Sequence, residues 1–227
     1  MISGNEFKKI GGEFMAPISQ LKVKAGKIKA FVFDWDGVFN DSRKSGKGES
    51  YFTEVDSMGT NLMRFGNWLR NQERMPYSGV ISGELSDSAI QFIEREHFNY
   101  GYFKAKDKIE AWKDFLIKTK LQPKEVAFFF DDVLDLPVAK ECGLRFCMRR
   151  TSNPVLNAYL RKNNLADYLT GNLSGNFALR EACELMMFLQ NNATKVLDER
   201  VSYSKTYSRF ITIRNSIRTQ IFNKAQH

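Results

Sequence analysis

The chain has 227 residues, 43% of them hydrophobic and 26% charged, with three cysteines and a formal net charge of +8. That is enough apolar material for one sizeable core with room for a modest appendage, and it excludes a chain disordered throughout. Cys142, Cys147 and Cys183 contain no CxxC pair and are odd in number, which argues against a disulfide framework or a zinc knuckle. With no signal-like apolar stretch at the start and no run of about 18 uncharged apolar residues, the expectation is a soluble cytoplasmic protein without a membrane span.

The positive charge sits at the ends. Residues 1–30 hold six lysines against two glutamates, residues 191–227 hold seven Lys or Arg against two acids, and the 160 residues between are close to neutral. A basic pI made by two ends says little about the chemistry of a neutral middle, so nucleic-acid binding is a minor reading. The expected organisation is a basic N-terminal extension over 1–27, a near-neutral central domain over 28–190 and a basic helical extension over 191–227.

In chain order, the apolar run 30–33 predicts a buried strand, and residues 41–54, with glycine and serine at the centre, predict an irregular hairpin or flap. Helical spacing follows over 61–72, a strand over 79–81, a helix over 87–96, a helix over 107–120 and a strand over 126–130. Short apolar runs alternating with amphipathic stretches are the pattern of a parallel sheet flanked by helices, an α/β three-layer fold. Near the end, Phe210, Ile213, Ile217 and Ile221 predict one apolar helical face. His97 has no matching ligands nearby in sequence and is read as a packing or surface residue.

In open parallel sheets, ligands bind beyond the carboxyl ends of the strands. The residues just past the three apolar runs are Asp34, Ser82 and Asp131. Asp34 and Asp36 stand two apart with Gly37 behind them, and Asp131, Asp132 and Asp135 follow a phenylalanine run. Acids at the end of such a run are costly unless they pair or bind a cation, so the two clusters suggest a hard-metal site. Phosphate monoester hydrolysis needs acceleration of up to roughly 10²¹-fold, whereas one acid or base supplies about 10²–10⁴. A carboxylate nucleophile, a neighbouring acid, a lysine and Mg²⁺ would have to act together.

The pieces DWDGV (34–38), VISG (80–83), Lys108 in KDKI and FDDVLD (130–135) resemble the four motifs of haloacid dehalogenase (HAD) phosphatases. From about residue 29 to 189 the chain resembles the subgroup of 3-deoxy-manno-octulosonate 8-phosphate phosphatases and the related domain of acylneuraminate cytidylyltransferases, through VDSMG (55–59), DDVLDLPVAKECGL (131–144), ADYLT (166–170) and SGNFALREACEL (174–185). The resemblance implies a capless HAD fold and a Mg²⁺-dependent phosphatase. Asp34 would be nucleophile, Asp36 general acid then base, Ser82 a phosphate donor and Lys108 the charge partner. Asp131, with Asp34 and the Asp36 carbonyl, would hold the metal, and Asp132 or Asp135 would bind it through water or orient the lysine. It also implies a homotetramer whose flap brings Arg43, Lys44 or Lys47 toward an acidic sugar phosphate, an octulosonate or nonulosonate.

Two positions depart from that pattern. Glu84 stands where the subgroup places an arginine, and Phe130 stands where a glycine precedes the paired aspartates, either filling more core or narrowing the pocket. Gly83, Arg149 and Arg150 are further substrate-binding candidates, the two arginines as replacements for the missing charge. The rival readings are a phosphatase for another sugar phosphate and a non-catalytic domain of this fold partnering a sugar-nucleotide enzyme.

Overall fold

The computed structural model describes residues 2–44 and 50–223. In chain order these form α1 (Gly4–Lys9), β1 (Glu13–Phe14), α2 (Ile18–Ala25), β2 (Ala30–Phe33), α3 (Glu54–Arg70), β3 (Tyr77–Ile81), α4 (Asp87–Arg95), β4 (Tyr100–Phe103), α5 (Lys108–Thr119) and β5 (Val126–Phe130). There follow α6 (Leu136–Glu141), β6 (Leu144–Arg149), α7 (Pro154–Asn163), β7 (Tyr168–Leu173), α8 (Ala178–Leu189), α9 (Ala193–Val201), α10 (Lys205–Asn215) and β8 (Gln220–Asn223). Among the described residues the strands make one sheet in the order β1-β7-β6-β5-β2-β3-β4-β8, parallel except where β1 meets β7. No described helix is long and apolar enough to cross a membrane.

The apolar runs form this sheet because alternate side chains feed two cores. Phe31, Phe33, Phe129 and Phe146 face α2, α3 and α8, with Phe33 and Phe129 stacked at 4.6 Å and Phe129 and Phe146 at 4.8 Å. Val32, Phe128 and Phe130 face Trp112, Phe115 and Leu160 on the other side. Burial on both faces is the reason the strands read as continuous apolar runs rather than as alternating ones. Phe130 lies fully inside this second core beside Phe128, so the departure at that position adds core and leaves the pocket alone.

The chain winds outward from β2 through β3 and β4, then crosses to β5 on the other side of β2. The reversal between β2 and β5 is where an open parallel sheet leaves a crevice at its carboxyl end. Between β2 and α3 the described residues form no helix.

Three local expectations change. The helix predicted over 61–72 begins at Glu54, because the Thr53 hydroxyl caps the backbone N–H of Asp56 at 3.0 Å. No strand is present in 41–44 or 50–53, and the centre of the expected flap, including Lys47, lies outside the described residues. The C-terminal face expected to stay helical through Ile221 stops at Asn215, and Ile221 joins β8, paired in parallel with β4. There Phe222 stacks on Tyr102 at 5.1 Å under Lys118, an edge contact that outweighs continuing the helix. Both basic ends therefore add edge strands, β1 and β8, to the central sheet.

Candidate active site

Four elements deliver their first polar residue to one end of the sheet. Asp34 continues β2 by one step, its N–H donating to the Phe129 carbonyl at 2.9 Å. Asp131 follows β5, Ser82 follows β3, and Lys108 opens α5 behind the cap of Asp107. Asp34, Ser82, Lys108 and Asp131 are all buried, whereas Lys104 and Lys106 are exposed. Of the three lysines in this stretch, Lys108 alone is buried and turned to the acids.

Lys108 Nζ lies 2.7 Å from Asp34 Oδ1 and 2.7 Å from Asp135 Oδ1. Asp34, Asp131 and Asp135 each present a carboxylate oxygen, and these oxygens lie within 4.8 Å of one another. The cluster thus gathers Asp135 directly, hydrogen-bonded to the lysine. Asp132 is exposed and turns aside to cap the N–H of Val133 at 2.7 Å.

Three carboxylates against few cations strain the ionisation of the site. Burial first, then the charge of Asp135, push Asp34 well above the usual carboxylate range against the pull of Lys108. Burial likewise raises Asp131 to about 7, opposed by Arg150. Burial alone would lower Lys108, but Asp34 and Asp135 reverse that and hold it charged. Without a further cation, Asp34 and Asp131 hold their protons more tightly than ordinary carboxylates do.

Asp36 is held by a different set of side chains from the carboxylate cluster. Its Oδ1 accepts from Ser50 Oγ at 2.9 Å and its Oδ2 meets Lys44 Nζ at 2.5 Å, both from the loop that precedes α3. Gly37 must be glycine: φ is +87°, and a Cβ there would fall 2.0 Å from Asp131 Oδ2. Asn40 and Ser174 brace the turn, Asn40 accepting from Gly37 and Ser42 N–H and Ser174 donating to the carbonyls of Gly37 and Asn40.

The remaining candidates separate. Gly83 faces open space and Glu84 is exposed beside it. Arg43 is almost fully exposed and pairs with Asp41 at 3.1 Å. Arg149 points away from the crevice, donating to the carbonyls of Thr170 and Gly11, and so is not brought to the site. Arg150 is brought there, but onto the protein itself: Nε and Nη2 both lie 2.6 Å from Asp131 Oδ2, and Nη2 reaches Ser42 at 2.5 Å. The Asp131–Arg150 pair and the Ser50–Asp36 bond had no signal in the sequence, because each joins residues by chain folding and not by a motif.

No family model matches the chain. The 3-deoxy-D-manno-octulosonate 8-phosphate phosphatase KdsC of Escherichia coli K12 is 34% identical over 171 residues, covering 74% of this chain and 83% of that protein. The chain belongs to the KdsC family of HAD phosphatases. Solved structures agree on the fold of this KdsC-family chain. A HAD superfamily (subfamily III A) hydrolase from Legionella pneumophila superposes with a TM-score of 0.67 at 25% identity, over 82% of this chain and 96% of that one. The 3-deoxy-D-manno-octulosonate 8-phosphate phosphatase of Moraxella catarrhalis, solved with magnesium, phosphate and KDO, superposes with a TM-score of 0.66 at 22% identity, over 80% and 98%.

The donor set of this KdsC-family site fits a hard divalent cation: buried carboxylate oxygens only, close together and short of positive charge. Protons and a cation then compete for the same oxygens. A buried acid whose folded pKa lies near 7 binds more protons folded than unfolded, so the metal-free protein loses stability as pH rises from about 4 through 7. Added Mg²⁺ is expected to raise the melting temperature little at pH 5.5 and clearly at pH 8, its affinity gaining up to about tenfold per pH unit for each proton displaced. Thermal unfolding with and without Mg²⁺ at the two pH values checks this.

Proposed function

We propose that this phosphatase hydrolyses the phosphate monoester of a small acidic sugar, a 3-deoxy-octulosonate or a nonulosonate, with Mg²⁺ and through a phosphoryl group carried on Asp34. The observation that carries the reading is the meeting of Asp34, Lys108, Asp131 and Asp135 at the carboxyl end of β2 and β5. In the first step a carboxylate oxygen of Asp34 attacks phosphorus and the ester oxygen leaves. Asp36, two residues on and reachable by solvent, gives that oxygen its proton. In the second step Asp36 takes a proton from water, whose oxygen attacks the same phosphorus and returns Asp34 to its free form. Lys108 and the Ser82 hydroxyl hold the phosphoryl oxygens, and Asp135 keeps Lys108 aimed. Asp34, Asp131 and the Asp36 carbonyl would hold Mg²⁺, which would supply positive charge against the phosphoryl oxygens.

Support for the sugar acid comes from the relatives' substrate and from Arg43 and Lys44 on the loop beside Asp36. The homotetramer belongs to the same reading: Val133 and Leu134, next to the acids, are 56% and 70% exposed and would be covered by a neighbouring subunit. A second reading has its own observation. Glu84 is exposed beside the open space at Gly83, where a carboxylate would repel an acidic substrate, and this favours a neutral sugar phosphate. Phosphate release from acidic and neutral sugar phosphates, with and without Mg²⁺, separates them. Preference for 3-deoxy-octulosonate or nonulosonate phosphates supports the first, preference for neutral sugars the second, and no Mg²⁺-dependent release from any of them rejects both.

A further inference from the structure

One guanidinium fastens the limb of chain that returns from the loop to α3. Arg95, in the last turn of α4, reaches Glu54 with Nη1 at 2.6 Å and Nη2 at 3.3 Å, Ser57 with Nη2 at 2.8 Å and Glu96 with Nε at 3.0 Å. Its plane lies 4.8 Å from the ring of Phe52. Phe52 packs against Phe92 at 4.9 Å and edge-on against Trp35 at 6.3 Å. Trp35 Nε1 donates to Ser50 Oγ at 2.9 Å, and Ser50 Oγ donates to Asp36 Oδ1 at 2.9 Å.

The far side of Arg95 is anchored as firmly. Glu96 is buried; its Oε1 also accepts from Ser57 and its Oε2 accepts from Arg214 of α10 at 3.0 Å. Fully buried Arg64 donates to the carbonyls of Glu96 and His97, fixing the end of the helix from which Arg95 extends. A planar guanidinium has donors in fixed directions, so acceptors placed on each of them determine its position and that of whatever stacks on it.

We infer that Arg95 is a positioning residue for the reaction, holding residues 50–54 so that Ser50 keeps Asp36 aimed at the leaving oxygen, with Glu96 and Arg214 holding Arg95. The inference rests on the role given above to Asp36. It makes the segment ending in α10 a support for the chemistry. Small displacements of a proton donor are costly to rate, and the cost depends on how much the leaving group needs the proton. An alkyl oxygen of a sugar needs it; p-nitrophenolate leaves readily without it.

The test is kcat/KM, which reads the step in which the ester bond breaks, for the preferred sugar phosphate and for p-nitrophenyl phosphate. Arg95→Met should lower the first about tenfold or more and the second much less. Combined with Ser50→Ala, the loss on the sugar phosphate should be no greater than in the more damaged single variant. The indole N–H resonance of Trp35 should move in Arg95→Met. Glu54→Gln, altering a partner whose side chain is 76% exposed, should show the same pattern at smaller size and serves if Arg95→Met does not fold. Equal losses on both esters, or losses that multiply independently with Ser50→Ala, overturn the inference. If the wild type hydrolyses neither ester, the function reading fails and this inference fails with it; hydrolysis with an unmoved Trp35 resonance overturns this inference alone.

Discussion

Replacing Asp34 with asparagine is expected to abolish phosphate release, by about 10⁴-fold or more, while leaving the protein folded and more resistant to heat at pH 8 in the absence of metal. The two effects have one origin. Asp34 is buried among Asp131 and Asp135, and ionising it there is unfavourable despite Lys108. Asparagine keeps the shape, removes the charge and leaves Lys108 its 2.7 Å bond to Asp135. A buried acid that destabilises the fold in this way marks a candidate for the chemistry. Turnover and metal-free melting temperature of the same preparation check both halves. A variant that turns over normally would remove Asp34 from the chemistry, whatever its stability.

Lys108→Met should move stability the other way. Lys108 is the cation shared by Asp34 and Asp135, and it is almost fully buried. Removing one partner from a buried ionic cluster costs about 3–5 kcal/mol, because the charges left behind have neither water nor a counter-ion. For a chain of this size that corresponds to a melting temperature lower by about 6–20 °C. The sign with pH follows from the directions of the shifts. Asp34 and Asp131 sit above the usual carboxylate range, so at low pH they are already protonated and the missing lysine matters less. The deficit should therefore be largest at pH 8 and shrink at pH 5. A deficit independent of pH would show that Lys108 acts through packing alone.

The motif-bearing part of this site was readable before any coordinates because strand ends and sheet topology are local facts. Three apolar runs ended on Asp34, Ser82 and Asp131, and a parallel sheet brings such ends together. Burial then sets Lys108 apart from its exposed neighbours, which spacing could not do. What could not be read depends on long-range packing. Arg150 looked like a free cation on a loop and is spent on Asp131. Ser50 lies in the stretch expected to form the flap and bonds Asp36. The C-terminal error has a different cause: Ile213, Ile217 and Ile221 recur every four residues, so a helical face and a half-exposed strand four residues long were indistinguishable by periodicity. Phe130, ambiguous between core and pocket, was decided by alternation along β5, which places its side chain on the face opposite Phe129.

The parallel pairing of β8 with β4 bears on how the chain reaches this state. Tyr100 must wait for Gln220, so during synthesis one edge of an otherwise completed sheet stays open while everything between is made. That edge carries Tyr100, Tyr102 and Phe103, whose backbone would accept a strand from another nascent chain as readily as its own. Closure by residues 220–223 then acts as the late step that removes a template for aggregation. Truncations before β8 should accordingly be recovered from cells in aggregates more often than their loss of buried surface alone would explain.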